Sequence, residues 1–266
     1  MSVKIGDDVV FGNDDRLKTH WKLLAFLLLY KNKSLTNQMM IDMLYDNEHI
    51  DNTQNALKNI VYYLRKDLGS NNNFIGVCDG DYRWNPEADL YLDTDEFERL
   101  MVAIQNSQSI EKKLALYKRV LEVYSGDLLS QIANEPWVVE LSGQYKKNYL
   151  DMMENYLELL MEQEEYEQVL SVSDIVTSIE PLEERIYLYM FRALSLCNMN
   201  GIISEIYLKL SRMFMDELDM DLCIEIHEIY KEATRKINSI EKDITIIKED
   251  LKEVTKDQVP IRGAYL

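Results

Sequence analysis

The sequence predicts a mainly α protein: an N-terminal winged helix-turn-helix of α+β type, an all-α helical-repeat domain, and a C-terminal coiled-coil helix. Three observations carry this expectation. Between Trp21 and Arg83, three short segments with apolar residues at helical spacing precede one alternating ribbon. Only 9 Gly and 4 Pro, against 17 Tyr and 13 Met, leave few turn signals elsewhere. From Ile226 to Val254 apolar residues step by four and three without a break. The expected divisions are a winged helix over 1–92, repeats over 93–222, a long helix over 223–258 and a tail over 259–266.

Lys4 to Gly12 alternates apolar residues around Gly6-Asp7-Asp8 and reads as a short hairpin. Trp21 to Leu29 is a compact apolar helix. After a polar turn, Leu35 to Tyr45 forms the second, with Thr36 as its N-cap and Met40, Ile41 and Leu44 on one side. The third, from Asn52 to Gly69, has an inward stripe of Leu57, Ile60, Val61, Leu64 and Leu68. Its other face collects Gln54, Asn55, Lys58, Asn59, Tyr62, Arg65 and Lys66. Asn and Gln pair bidentately with adenine edges, while Lys and Arg reach guanine or phosphate. A ribbon from Phe74 to Arg83, turning at Asp79-Gly80-Asp81, completes a module whose third helix lies in a major groove in proteins of this type.

Beyond Thr94 the pattern is helical throughout. Phe97, Leu100, Met101 and Ile104 mark one helix, and Leu114, Leu116, Tyr117, Val120 and Leu121 another. A long helix follows from about Pro136 to Gln163, then Tyr166–Ile179, Pro181–Met199 and Gly201–Leu218. Breaks at Glu164-Glu165, Pro181 and Asn200-Gly201 give paired helices similar to tetratricopeptide repeats. Such arrays present a concave surface to peptides or subunits, and Tyr145, Tyr149, Tyr156, Tyr187 and Tyr189 are candidates to line it or to pack the core.

The last helix carries Ile226, Tyr230, Ala233, Ile237, Ile240, Ile244, Ile247, Leu251 and Val254 on a heptad seam. With Tyr230, Ile237, Ile244 and Leu251 at position a, Lys236 and Asp243 fall at g, and Glu241 and Lys248 at e. A parallel pair then sets Lys236 against Glu241 and Asp243 against Lys248. A parallel homodimer held by Ile237, Ile240, Ile244, Ile247 and Leu251 is expected. A helix folded back on its own array is the alternative, and Ile at both a and d also admits higher oligomers. Val259 to Leu266 reads as the opening of a strand, so a further domain is expected after it.

The balance of charge bears on partners. Formal net charge is -18, but residues 1–90 hold 10 Lys and Arg against 13 Asp and Glu, leaving 19 against 34 for the rest. The acidity therefore belongs mostly to the repeat half, where it suits a solvated protein-binding surface. Cys78, Cys197 and Cys223 form no close pair, which points to a reducing, cytoplasmic location. The apolar run Leu23–Tyr30 is eight residues long, too short for a bilayer, and Asp7, Asp8, Asp14 and Asp15 precede it. No membrane association is expected. His20, His49 and His227 are scattered, and neither a Gly-rich phosphate loop nor a His-Glu-x-x-His pair is present. No enzyme, cofactor or metal site is expected.

The run Trp21–Arg83, ending in Asp81-Tyr82-Arg83-Trp84-Asn85-Pro86-Glu87, resembles the OmpR-like winged helix of the Streptomyces antibiotic regulatory protein family. The following half resembles that family's bacterial transcriptional activator domain. The residues that carry it are Tyr124-Ser125-Gly126-Asp127-Leu128-Leu129, Glu135-Pro136-Trp137-Val138, Glu180-Pro181-Leu182-Glu183-Glu184, Ala193-Leu194, Gly201, Tyr207 and Asp216-Glu217-Leu218-Asp219. The likeness spans about residues 3–235. It implies a regulator of transcription that binds promoter DNA, with the helical half taking a signal or touching RNA polymerase.

Asn55, Lys58, Asn59 and Tyr62 are then the base-reading candidates, with Arg65, Lys66 and Arg83 at phosphates. Two features depart from the family. The third helix is less basic than usual, and Asp79 and Asp81 place carboxylates at the wing, where like charge opposes phosphate. They leave a second reading open: a signalling scaffold whose winged helix binds protein instead of DNA.

Overall fold

The computed structural model describes residues 4–5, 8–9, 19–45, 52–69, 74–88 and 91–256, with side chains described from 19 to 249 within those ranges. The predicted tail, 259–266, lies outside them. Two compact units divide at Met152 and Met153. The N-terminal hairpin is present as antiparallel strands β1 (Lys4–Ile5) and β2 (Asp8–Val9).

The first unit holds helices α1 (Thr19–Leu29), α2 (Asn37–Tyr45) and α3 (Thr53–Asp67), then the antiparallel pair β3 (Ile75–Cys78) and β4 (Asp81–Trp84). Their core is made by Leu23, Leu24, Leu27 and Leu28 of α1, Met40 and Ile41 of α2, Leu57, Val61 and Leu64 of α3, and Ile75 and Trp84 of the ribbon. That is the inward stripe read from the sequence, with Ile60 only partly covered. Thr36 caps α2 as expected, its Oγ1 accepting from Met39 N at 3.2 Å. Asn52 caps α3 from a left-handed backbone, φ 66°, with its side-chain oxygen 3.3 Å from Asn55 N. Asn tolerates that conformation better than most residues.

The same unit continues through α4 (Asp93–Asn106), α5 (Ile110–Val123), a single 3₁₀ turn at Ser130–Ile132, and the start of α6 (Pro136–Glu162). Tyr124 stacks on Tyr149 with ring centroids 3.9 Å apart. Tyr149 and Tyr156 are fully buried, so of the tyrosines considered for a concave surface these two are core residues. A phenol ring at an inward helical position buries a large apolar face, which keeps it inside.

The second unit contains the rest of α6, then α7 (Tyr166–Ile179), α8 (Glu184–Leu196), α9 (Asn200–Leu218) and α10 (Ile224–Lys256). The breaks fall where Glu164, Asn198 and Asp219 take positive φ. Helix α8 begins three residues later than Pro181 indicated, after a short turn at 180–183. Met190, Phe191, Leu194, Ile203, Leu210, Phe214 and Leu222 build the core between α8, α9 and the first turns of α10.

Helix α10 has two parts. Ile226 and Ala233 are buried in that core, and Tyr230 stacks on Tyr207 at 3.9 Å. The front of the predicted dimer seam therefore meets its own array instead. Heptad spacing produces an apolar stripe without stating what it packs on. From Ser239 to Glu249 every residue is exposed.

Candidate nucleic-acid interface

Helix α3 presents Asn55, Lys58, Asn59, Tyr62, Arg65 and Lys66 to solvent on the face opposite Leu57, Val61 and Leu64. Gln54 is exposed beside them. Tyr62 stands 64% exposed, edge-on to Tyr63 at 5.6 Å, and Tyr63 is 55% exposed. Two neighbouring aromatic rings thus stand largely in solvent beside the polar face. The sequence reading included Tyr62 and passed over Tyr63. Arg65 and Lys66 lie in the last turn of α3, where they also complement the helix dipole.

Arg65 does more than project. Its Nη2 donates to Ile75 O at 2.6 Å, and the guanidinium lies 5.7 Å from the Tyr82 ring centre. It therefore ties α3 to the ribbon, a role that spacing in the sequence does not reveal. Arg83 is exposed on β4, three residues after Gly80 of the wing turn.

That turn, with Asp79 at φ 54° and Gly80 at φ 90°, is the two-residue form that matches strand twist. Gly suits the second position because a side chain there would be strained. Of the two wing carboxylates, Asp81 is engaged. Its Oδ1 accepts from Asn37 N, at the start of α2, at 2.8 Å. Asn37 answers by donating Nδ2 to Gly80 O at 2.8 Å and accepting Tyr82 N at 3.0 Å. The negative charge expected to face phosphate is thus partly directed at the N-terminus of α2. Asn37 was not singled out in the sequence, since its partners lie more than forty positions away.

Another part of the unit supports α1 from behind. Trp137 packs edge-on against Phe26 at 5.4 Å and near Tyr30 at 6.5 Å. Ala25 is buried with Leu128, Leu129, Ile132 and Val138. Glu135 pairs with Lys22, and Asp95 with Lys31. At the far end of α1, His20 Nε2 lies 2.9 Å from the Asp67 carboxylate at the close of α3. The Glu135-Pro136-Trp137-Val138 stretch thus acts as a clamp on the first helix of the winged fold.

Among the described residues, no group of three or more His, Cys, Asp and Glu is placed to hold a metal ion, and no helix is long and apolar enough to cross a membrane.

An exposed polar face on α3, an ordered wing and a chain that continues as paired helices are the parts of a transcriptional regulator, and comparisons with known proteins agree. Residues 92–233 match the bacterial transcriptional activator domain, and residues 16–80 match the family described as transcriptional regulatory protein, C terminal. The chain belongs to the bacterial transcriptional activator domain family, in the domain order of the Streptomyces antibiotic regulatory proteins. Among solved structures it is similar to Mycobacterium tuberculosis EmbR in complex with a low-affinity phosphopeptide. The TM-score is 0.60 at 14% identity, over 84% of this chain and 61% of that one. The chain thus spans about three fifths of EmbR's length, and the likeness is one of fold. No curated protein matches the sequence. Both matched families concern transcription, which favours the regulator over the non-DNA-binding scaffold.

Proposed function

We propose that this chain is a promoter-binding activator of transcription in which α3 enters a major groove of double-stranded DNA. Asn55, Lys58, Asn59 and Tyr62 read base edges, while Lys66 and Arg83 meet phosphates. Arg65 reaches the backbone only through the N–H groups its bond to Ile75 leaves over. The observation that carries this reading is the coherent exposed polar face of α3 on a fully packed winged core. The division of labour follows the expected domains: 1–92 for DNA, 93–222 for a signal or for RNA polymerase, and 223–258 for self-association. A pair of chains joined through the last helix presents two winged helices, which suits paired half-sites on one duplex. The reading places the protein in the cytoplasm, without a catalytic or cofactor role.

Selection of bound duplexes from a random-sequence pool tests it. The expected result at low salt is enrichment of one half-site, with loss of its preferred bases in Asn55→Ala and Asn59→Ala. Failure to enrich any sequence, with the winged helix folded, would overturn the proposal in favour of the scaffold.

A further inference from the structure

Helix α10 changes character along its length. Up to Ala233 its apolar residues are covered by α8 and α9, and Arg192 of α8 pairs with Glu225 at 2.6 Å. Beyond Ser239 that cover is gone. Ile240 is 55% exposed, Ile244 44% and Ile247 56%. These three, with half-buried Ile237, occupy successive a and d positions, and the spacing continues in the sequence through Leu251 and Val254. Ile246 is also exposed but falls at c, off the stripe. A continuous row of isoleucines in water is an unfilled interface rather than scattered surface apolarity.

The flanking charges state which partner fits. In a parallel two-stranded pairing, g of one helix faces e of the next heptad in the other. Lys236 then meets its partner's Glu241, and Asp243 its partner's Lys248, twice each by symmetry. In an antiparallel pairing centred between Ile244 and Ile247, Glu241 still meets its partner's Lys248, but Lys236 no longer faces Glu241 and Asp243 no longer faces Lys248. Only the parallel orientation therefore pairs all four charges with one another in a second copy of this chain.

We infer that α10 is a divided helix: its first turns are a structural part of the second unit, and the segment from Ile237 to Val254 forms a parallel coiled coil with a second copy. This refines the self-association named above and does not depend on DNA. Because only about five or six a/d layers remain for the partner, the association is concentration dependent.

Sedimentation equilibrium of the full chain tests it up to about 100 µM. The expected mass rises from 31.3 kDa toward twice that value. Ile240→Lys with Ile247→Lys weakens association more than about tenfold while helicity by circular dichroism is kept. Glu241→Lys alone also weakens it, by setting lysine against its partner's Lys236, and Lys236→Glu combined with Glu241→Lys restores it. A wild-type chain that stays monomeric, a dimer indifferent to the isoleucine changes, or a limiting trimer would each overturn the inference. Failure of the paired charge reversal to restore association would overturn the parallel orientation. The readout is mass, so it is separable from loss of promoter binding.

Discussion

Replacing Asn37 with alanine removes the side chain that fastens the wing to α2. The structure shows two bonds lost, Nδ2 to Gly80 O at 2.8 Å and Tyr82 N to Oδ1 at 3.0 Å. Each is worth about 1 kcal/mol net, and the half-buried Tyr82 N–H left without its acceptor adds up to about 1 more. The backbone bond from Asn37 N to Asp81 survives, because it needs no side chain at 37. A total of about 2–3 kcal/mol follows, which for a unit of this size lowers Tm by roughly 5–10 °C. Asp81→Asn is the control. It keeps an acceptor oxygen and loses only the favourable charge at a helix start, about 0.5–1 kcal/mol. Thermal unfolding followed by circular dichroism reads both. A drop below about 2 °C for Asn37→Ala, or an equal drop for Asp81→Asn, would refute the reasoning that the side-chain bridge holds the wing.

Two further outcomes are expected. Trp137→Ala, which empties a half-buried ring from the Phe26 and Tyr30 contact, should cost about 2–3 kcal/mol in urea unfolding of the first unit; a loss under about 1 kcal/mol would mean that the clamp on α1 is not a stabilising contact. Burial, and next its hydrogen bond to Glu98, hold the Tyr145 phenol well above its ordinary value of 10.0. A raised pKa means the folded state keeps the proton longer, so stability is intact below pH 10 and declines as pH climbs past it. Tyr145→Phe should flatten that alkaline decline, and an unchanged slope in pH-dependent melts would contradict it.

How much of this was legible in advance varies by element. Leu57, Val61 and Leu64 recur at helical spacing, so α3 and its outward face could be read from the chain alone. The wing was equally plain, because Val77 and Tyr82 flank an Asp-Gly turn. What escaped the sequence are relations between distant residues. The Asn37–Asp81 exchange spans more than forty positions, and the Lys22–Glu135 pair more than a hundred. Nor does composition distinguish an Arg65 that reaches outward from one bonded to Ile75. The last helix shows the same limit. Its a/d rhythm is uniform from Ile226 to Val254, yet Ile226 is buried on its own array while Ile240 is not. Periodicity specifies a stripe, and tertiary packing decides what fills it.

The central claim is that the outward face of α3 meets nucleic acid, and the salt dependence of binding tests it most directly. Fluorescence anisotropy with a selected duplex, titrated across a series of salt concentrations, gives the slope of log affinity against log salt. If Lys66 and Arg83 each neutralise a phosphate, Lys66→Ala with Arg83→Ala reduces the steepness by about 1.8. A double variant with the wild-type slope, on a chain whose winged core still melts normally, would contradict the account.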